Sequence, residues 1–356
     1  MNNTDRQFKE LIETILEKGH QRNDRTGVGS RSIFGYQMKF KMSEGFPLLT
    51  LRKIHTKSLI HEILWFLGSF DSKWDRFGNT NIRYLLDNGV TFWSEWPYEH
   101  YNKQRKYRPE LPELTIKDFE EKIRVDDKFA IDFGGIGPGY GKQWVNYGGG
   151  VERFKDEQGN AFMKVIQGVN QIEEAIDTLK KNPDSRRIIV DAWNPADVPQ
   201  MLLPCCHMMF QFNTYKMDSK ERLEEYKKWV VDNKIPFKEN MDYYKFPDRK
   251  LSLQMYQRSV DSMLGWPFNV AEYSLLLHMV AQIVNMIPDE FVWVGGDTHV
   301  YNNHIEQAKE VISRDSYPLP TLKLNKNITS IYDFRYDDII IDNYKSHPNI
   351  KMDVAV

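Results

Sequence analysis

Cysteine is almost missing: the 356 residues hold two, and they are neighbours, Cys205 and Cys206. Adjacent cysteines close a strained ring that serves poorly as a structural disulfide, so the chain reads as a reduced, cytoplasmic protein. Long apolar runs are missing too. The most apolar stretch, Ser274 to Ile287, carries His278, Gln282 and Asn285 and falls short of the roughly 20 residues that span a bilayer, which predicts a buried helix and no membrane partner. The opening MNNTDRQFKELIETILEKG scatters charge through its apolar positions and lacks the core of a signal peptide. Neither sign of charge is in excess. Lys and Arg number 48 against 50 Asp and Glu, a net −2, so a nucleic-acid partner is disfavoured and any anion site must be a local cluster. The histidines show no ligand-spaced pattern such as HExxH, and no metal is expected. Internal repeats and low-complexity tracts are absent.

What is present is a globular composition, 41% apolar, 13% aromatic and 28% charged, which excludes a disordered chain, a collagen or a coiled coil. At roughly 150 residues per domain, the length allows two domains or one large one with insertions. Phe8, Leu11, Ile12, Ile15 and Leu16 recur at helical spacing, and Gly19 supplies a stop, so a first helix is predicted there. The run Ile60 to Leu67 (IHEILWFL) is apolar yet holds His61 and Glu62, and a carboxylate in that setting needs a reason. Strands are predicted at Arg187–Trp193, Met208–Thr214, Leu251–Gln257 and Phe291–Val294, with helices at about Ile172–Lys180 and Ala271–Asn285. Two segments dense in Lys, Glu, Asp and Tyr, at about 97–132 and 215–250, read as surface insertions. In the second, Asp218 with Glu221 offers a capping box, and Leu223, Tyr226 and Val230 form a narrow apolar stripe, which predicts one docked amphipathic helix.

The chemistry centres on residues 203–212, LPCCHMMFQF, where a Cys–His pair stands at the mouth of a strand. An arbitrary cysteine is more often an inert, buried thiol. It becomes a nucleophile when positive charge stands close to it, so the supply of arginines decides. Arg186 and Arg187 open a strand in NPDSRRI, Arg258 and Ser259 follow another, and Arg25 lies in the glycine-bearing loop DRTG. Arginines at strand ends and turns suit bidentate phosphate binding, although each taken singly also reads as a surface ion-pair partner.

In order and spacing, these pieces closely resemble the thymidylate synthase family. The matching segments are NDRTGVGS (23–30), GFPLLT (45–50), HEILWFL (61–67), TFWSEW (91–96), GPGYGKQW (137–144), NPDSRRIIVDAWNP (182–195), PCCHMMFQF (204–212), LSLQMYQRSVDSMLGWPFNVAEY (251–273), GGDTHVYNNH (295–304) and HPNIKMDVAV (347–356). The resemblance implies an α+β fold, one domain with a large mixed β-sheet flanked by helices, and a homodimer packed sheet against sheet. It implies reductive methylation of dUMP to dTMP, with 5,10-methylenetetrahydrofolate supplying both carbon and hydride. Cys206, beside His207, matches the nucleophile that adds to pyrimidine C6. Arg258 matches the arginine that touches both the phosphate and the thiolate. Arg25 and Ser259 match further phosphate contacts, and Arg186 and Arg187 the pair given across the dimer interface. Asn269 matches the amide that reads uracil, although an asparagine there could equally cap a helix beginning at about Val270. Glu62 matches the carboxylate that organises proton transfer through water; by itself it reads as a paired structural Glu. Tyr140 matches the tyrosine near the C5 proton, and His299 with Tyr301 the pair on the sugar 3'-hydroxyl. For the folate the resemblance implies Asp261 at the pterin ring, Trp93, Trp96, Leu264, Gly265 and Phe268 along the cavity, Arg52 near the glutamate tail and Ala355 in a closing C-terminus.

Three residues depart from the family's usual pattern: Cys205 where Pro is common, Trp266 where Leu is customary, and Arg52 where many members have Lys. Cys205 could be packing or an oxidation-prone neighbour, and Trp266 could reshape the wall near the base. A deoxyuridylate hydroxymethylase, which lets water end the reaction after carbon transfer, is the nearest rival reading. Trp93 and the aliphatic terminus Val354-Ala355-Val356 favour the synthase, because water must be kept out during hydride transfer. A reading of another class is a non-catalytic nucleotide- or RNA-binding protein on the same fold, and binding to its own messenger RNA stays open.

Overall fold

The computed structural model describes residues 1–23, 27–76, 78–155 and 161–353, with the backbone alone at 151–155 and 161–165. Its strands are β1 (His20–Arg22), β2 (Ser30–Lys41), β3 (Gly150–Lys155), β4 (Ala161–Ile166), β5 (Ile189–Asp191), β6 (His207–Lys216), β7 (Arg249–Asp261), β8 (Ile287–Tyr301), β9 (Thr321–Leu324) and β10 (Ile339–Asp342). Six of them form a mixed sheet in the order β1-β2-β8-β7-β6-β5, while β3 pairs with β4 and β9 with β10. Only the β7–β8 pair in the large sheet is parallel.

The helices are α1 (Asn3–Lys18), α2 (Thr56–Leu67), α3 (Ser72–Asp75), α4 (Arg83–Asp87), α5 (Glu95–Arg105), α6 (Ile116–Val125), α7 (Asp127–Phe133), α8 (Gly141–Asn146), α9 (Gln171–Lys181), α10 (Ser219–Asp232), α11 (Gly265–Ile283) and α12 (Ile305–Ser313). The expected first helix is α1: Phe8, Leu11, Ile12 and Ile15 are fully buried, and the Gly19 N–H closes on the Ile15 carbonyl. In α2 every residue from Ser58 to Leu67 is buried, and Gly68, at φ 72°, ends it with its N–H on the Leu64 and Trp65 carbonyls. The longest helix, α11, joins the two parallel strands and is apolar on nearly all sides, as a crossover between sheet and helical layer must be.

Three expectations need correction. The strand expected at Arg187–Trp193 shrinks to β5, because the Asp191 carboxylate accepts from the Trp193 N–H at 2.8 Å and turns the chain, while Gln171 of α9 holds both Asp191 backbone groups. The helix expected from Ala271 starts at Gly265, so Asn269 sits inside it and caps nothing at Val270. Trp266 shapes no wall near a base. It is fully buried among Phe8, Phe40 and Trp293, at ring distances of 5.1, 6.1 and 6.3 Å.

In the segment 97–132, α5, α6 and α7 enclose an aromatic cluster of Tyr101, Phe119, Phe129 and Phe133 that is continuous with the main core. Tyr226 and Val230 of α10 form a satellite core with Phe246. Asp218 caps α10 through the Lys220 and Glu221 N–H groups, but Glu221 turns instead to Lys250 at 3.0 Å, so half of the expected capping box is absent.

The large sheet buries one face, with Phe210, Phe212, Leu253, Met255, Phe291 and Trp293, while Gln37 and Gln254 are exposed at alternate positions. At the edge of that buried layer, register brings distant residues together. Gln257 pairs with both His207 and Gly295, Ser259 with Asp297, and Asp261 with His299. Ser30 lies opposite Tyr301. Gly296 is required there: a Cβ would stand 2.7 Å from the Arg258 carbonyl oxygen.

Candidate active site

The strand ends open onto a cavity of about 860 Å³, lined by β7, β8, the start of α11, α2 and the loops before α5, α8 and β6. That volume suits two small molecules side by side. Cys206 and Arg258 face each other at its floor. The Arg258 guanidinium is fixed by the Cys205 carbonyl at 2.9 Å from Nε and the Pro204 carbonyl at 2.7 Å from Nη2, which leaves Nη2 3.8 Å from Cys206 Sγ. A fixed positive charge there favours the thiolate, the form that attacks carbon. The Cys206 N–H donates to the Tyr140 hydroxyl at 2.8 Å.

Tyr140 occupies a strained backbone position, φ 38° and ψ −105°, at the entry to α8. Its ring stacks on Phe66 at 4.9 Å, and its N–H donates to Cys205 Sγ at 3.0 Å. Burial holds its hydroxyl well above the usual range, so it stays a neutral phenol. Cys205 is fully buried and its thiol is pushed up to about 12 by desolvation. The doubled cysteine therefore divides into one sulfur at the cavity and one in the core, as the packing reading had it.

Asn269, 7% exposed, has its amide held from both ends. Gln257 Nε2 donates to Oδ1 at 2.8 Å, and Nδ2 donates to Glu272 at 3.2 Å. Gln257 is itself fixed by the Trp293 indole at 2.9 Å. One lone pair and one N–H of Asn269 are thus used internally, leaving one of each for a base. His207, beside Asn269, is pushed down to about 4 by burial and is neutral at pH 7. Glu62 accepts from the Trp93 indole at 2.7 Å, and burial raises its carboxyl.

Trp93, Trp96, Phe268, Leu264 and Gly265 also line the cavity. Asp261 does so while its carboxylate also accepts from the Met263 and Leu264 N–H groups at 2.8 and 3.1 Å, shaping the turn into α11. Ser259, His299 and Tyr301 line it as well. His299 Nδ1 lies 3.1 Å from Asp297, which also accepts from Arg22 at 2.6 Å.

Three expected site residues do not line the cavity. Arg52 is 3% exposed and donates to the Met263 carbonyl, so it braces the turn behind Asp261. Arg186 and Arg187 are exposed ahead of β5 and line no part of this subunit's cavity. Arg25 and Ala355 lie outside the described residues. Sequence reasoning missed Gln257, Asp297, Arg22 and Glu272. Glu272 carried the same signal that marked Glu62, a carboxylate inside an apolar helix.

The model of the family described as thymidylate synthase matches residues 6–356. The chain belongs to the thymidylate synthase family. It is 44% identical to the thymidylate synthase of Mycoplasma mobile over 350 residues, covering 98% of this chain and 99% of the relative. To that of Malacoplasma penetrans it is 41% identical over 351 residues, 99% and 100% of the two chains. The Mycoplasma pneumoniae protein is 41% identical over 350 residues, 98% and 99%. With membership goes the activity, methylation of dUMP to dTMP. Among the described residues there is no group of His, Cys, Asp and Glu that could hold a metal, and no helix long and apolar enough to cross a membrane.

Proposed function

We propose that this chain makes dTMP by adding the Cys206 thiolate to C6 of dUMP, with methylenetetrahydrofolate as the second substrate. The observation that carries this reading is Arg258 Nη2 at 3.8 Å from Cys206 Sγ inside a cavity that also holds Asn269, Glu62 and Tyr140. A pyrimidine is a poor nucleophile at C5, and thiolate addition at C6 makes C5 an enolate carbon. The negative charge that develops on O4 meets the remaining N–H of Asn269. Folate supplies the carbon and the hydride. The aromatic slot of Trp93, Trp96 and Phe268, with the Asp261 carboxylate at its edge, fits a flat, hydrogen-bonding pterin. Tyr140, neutral and hydrogen-bonded to the Cys206 N–H, stands where the C5 proton leaves, and Glu62 directs water to the folate and O4.

Phosphate falls to Arg258 and Ser259, joined by Arg25 and by Arg186 and Arg187 of a second subunit. A sheet-against-sheet homodimer is supported by the uncovered sheet face, by Phe34 at 79% exposed, and by the position of the Arg186–Arg187 pair outside its own cavity. Cys205 and Trp266, two of the departures from the family's usual pattern, are both core residues and give a hydroxymethylase reading no support.

Base choice tests the reading. Uracil offers N3–H and O4 to the free lone pair and N–H of Asn269, whereas cytosine reverses both polarities. Each mispaired, buried group is worth about 1–3 kcal/mol. At this buried position the carboxyl of Asn269→Asp favours its neutral form, able to donate to N3 and accept from N4. Expected is a fall in kcat/KM for dUMP of at least about tenfold, with a smaller change for dCMP and a shift of preference toward cytosine. An unchanged ratio of the two kcat/KM values would place uracil selection elsewhere.

A further inference from the structure

At the cavity wall, α2 meets α11 through two carboxyl groups, of which Glu62 lines the cavity. Glu62 and Glu272 are 5% and 1% exposed, and they lie within hydrogen-bonding reach of each other. Two carboxylates cannot make that contact, so one carries a proton. Their neighbours decide which. The short bond from the Trp93 indole, 2.7 Å, favours the charged form of Glu62. Glu272 Oε2 receives only the longer 3.2 Å bond from Asn269, and its Oε1, also buried, meets no N–H or O–H donor among the described residues.

The other titratable groups around the pair are neutral. Tyr273, next along α11, and Tyr140 before α8 are raised well above the usual phenol range by burial. Cys205 is pushed up to about 12, and His207, on the far side of Asn269, down to about 4. Among the described residues, no Lys or Arg stands among the groups that shift either carboxyl. Burial raises both carboxyls, Glu272 the further because it also faces the charge of Glu62.

We propose that Glu272 is a positioning residue for the reaction: a neutral carboxyl that donates through Oε1 to Glu62 and accepts through Oε2 from Asn269. The hydrogen bonds then run one way, from the Trp293 indole to Gln257, to Asn269, to Glu272 and on to the Glu62 carboxylate. Bonds aligned in this sense polarise one another. One proton thereby fixes both the amide that reads the base and the carboxylate that handles water. The inference rests on the roles given above to Asn269 and Glu62.

Glu272→Gln keeps a donor for Glu62 and an acceptor for Asn269 but cannot ionise; Glu272→Leu removes both. Without its donor, buried Glu62 is charged less readily, so the acid limb of the kcat–pH profile should move to higher pH in Glu272→Leu, with kcat reduced at least about tenfold. In Glu272→Gln the limb should stay in place and kcat within about threefold of the parent. The infrared difference spectrum of parent minus Glu272→Gln at neutral pH should contain the C=O band of a neutral carboxylic acid. A missing band, or equal displacement of the acid limb in both variants, or displacement in neither, overturns the proposal. Should Glu272→Leu not fold, the spectrum decides alone. All folded variants should still form the covalent complex with 5-fluoro-dUMP and folate, and loss of that complex in the parent protein would count against the Cys206 chemistry instead.

Discussion

Cys206→Ala is expected to lower turnover by at least about 10⁴-fold, and to abolish the covalent complex with 5-fluoro-dUMP and methylenetetrahydrofolate. No other group in the cavity can add to C6. The neighbouring thiol is the obvious substitute and is unable to serve, because Cys205 is fully buried, accepts from the Tyr140 N–H, and is held neutral by desolvation. Cys205→Ala should therefore keep most of the activity. It should lose stability instead, by about 1–3 kcal/mol, since the Tyr140 N–H is left without a partner in the core. Mass spectrometry of the denatured complex reads the outcome directly. Nucleotide attached to the peptide at Cys205, or a Cys206→Ala protein that still traps it, would overturn the assignment of the nucleophile.

Mixing two inactive proteins should restore activity if the site is shared between subunits. Arg187→Ala removes a phosphate contact from the partner's site, and Cys206→Ala removes the nucleophile from its own. In the mixed dimer both lesions fall in one site and the other is intact. Random exchange makes half the dimers mixed, so activity should rise to about a quarter of the parent level, far above either variant alone. The exposed position of Arg187, away from its own cavity, is the structural motive. Confirmed subunit exchange with no recovery would show that each subunit binds phosphate without its partner.

The parts of this fold that were legible in the sequence are those set by local periodicity. The stripe of α1 and the apolar run of α2 follow from side-chain spacing, and the lone carboxylate of Glu62 stood out because the run around it was so apolar. The start of α11 holds Gly265 and Pro267, two poor helix formers, and so lacks a local helical signal. Proline is tolerated in a first helical turn, where its missing N–H has no helical partner to lose, and Asp261 supports the preceding turn through the Met263 and Leu264 N–H groups. β5 was overextended because a run of β-branched residues gives no warning that Asp191 and Gln171 will end it. The site itself depends on long-range register. Ser259 beside Asp297, and Asp261 beside His299, follow from the parallel β7–β8 pair, which no local pattern encodes. Motif resemblance supplied Cys206, Arg258 and Asn269, but only geometry shows that Arg52 and Trp266 stand behind the cavity while Gln257 and Glu272 hold its amide.

The central claim is that carbon transfer is completed by hydride transfer from folate at the Cys206 site. It is tested most directly by incubating the protein with [5-³H]dUMP and methylenetetrahydrofolate and measuring tritium release, dihydrofolate and the nucleotide product in the same reaction. The expected result is one dTMP and one dihydrofolate for each tritium released. Release accompanied by 5-hydroxymethyl-dUMP without dihydrofolate, or no release at all, would contradict it.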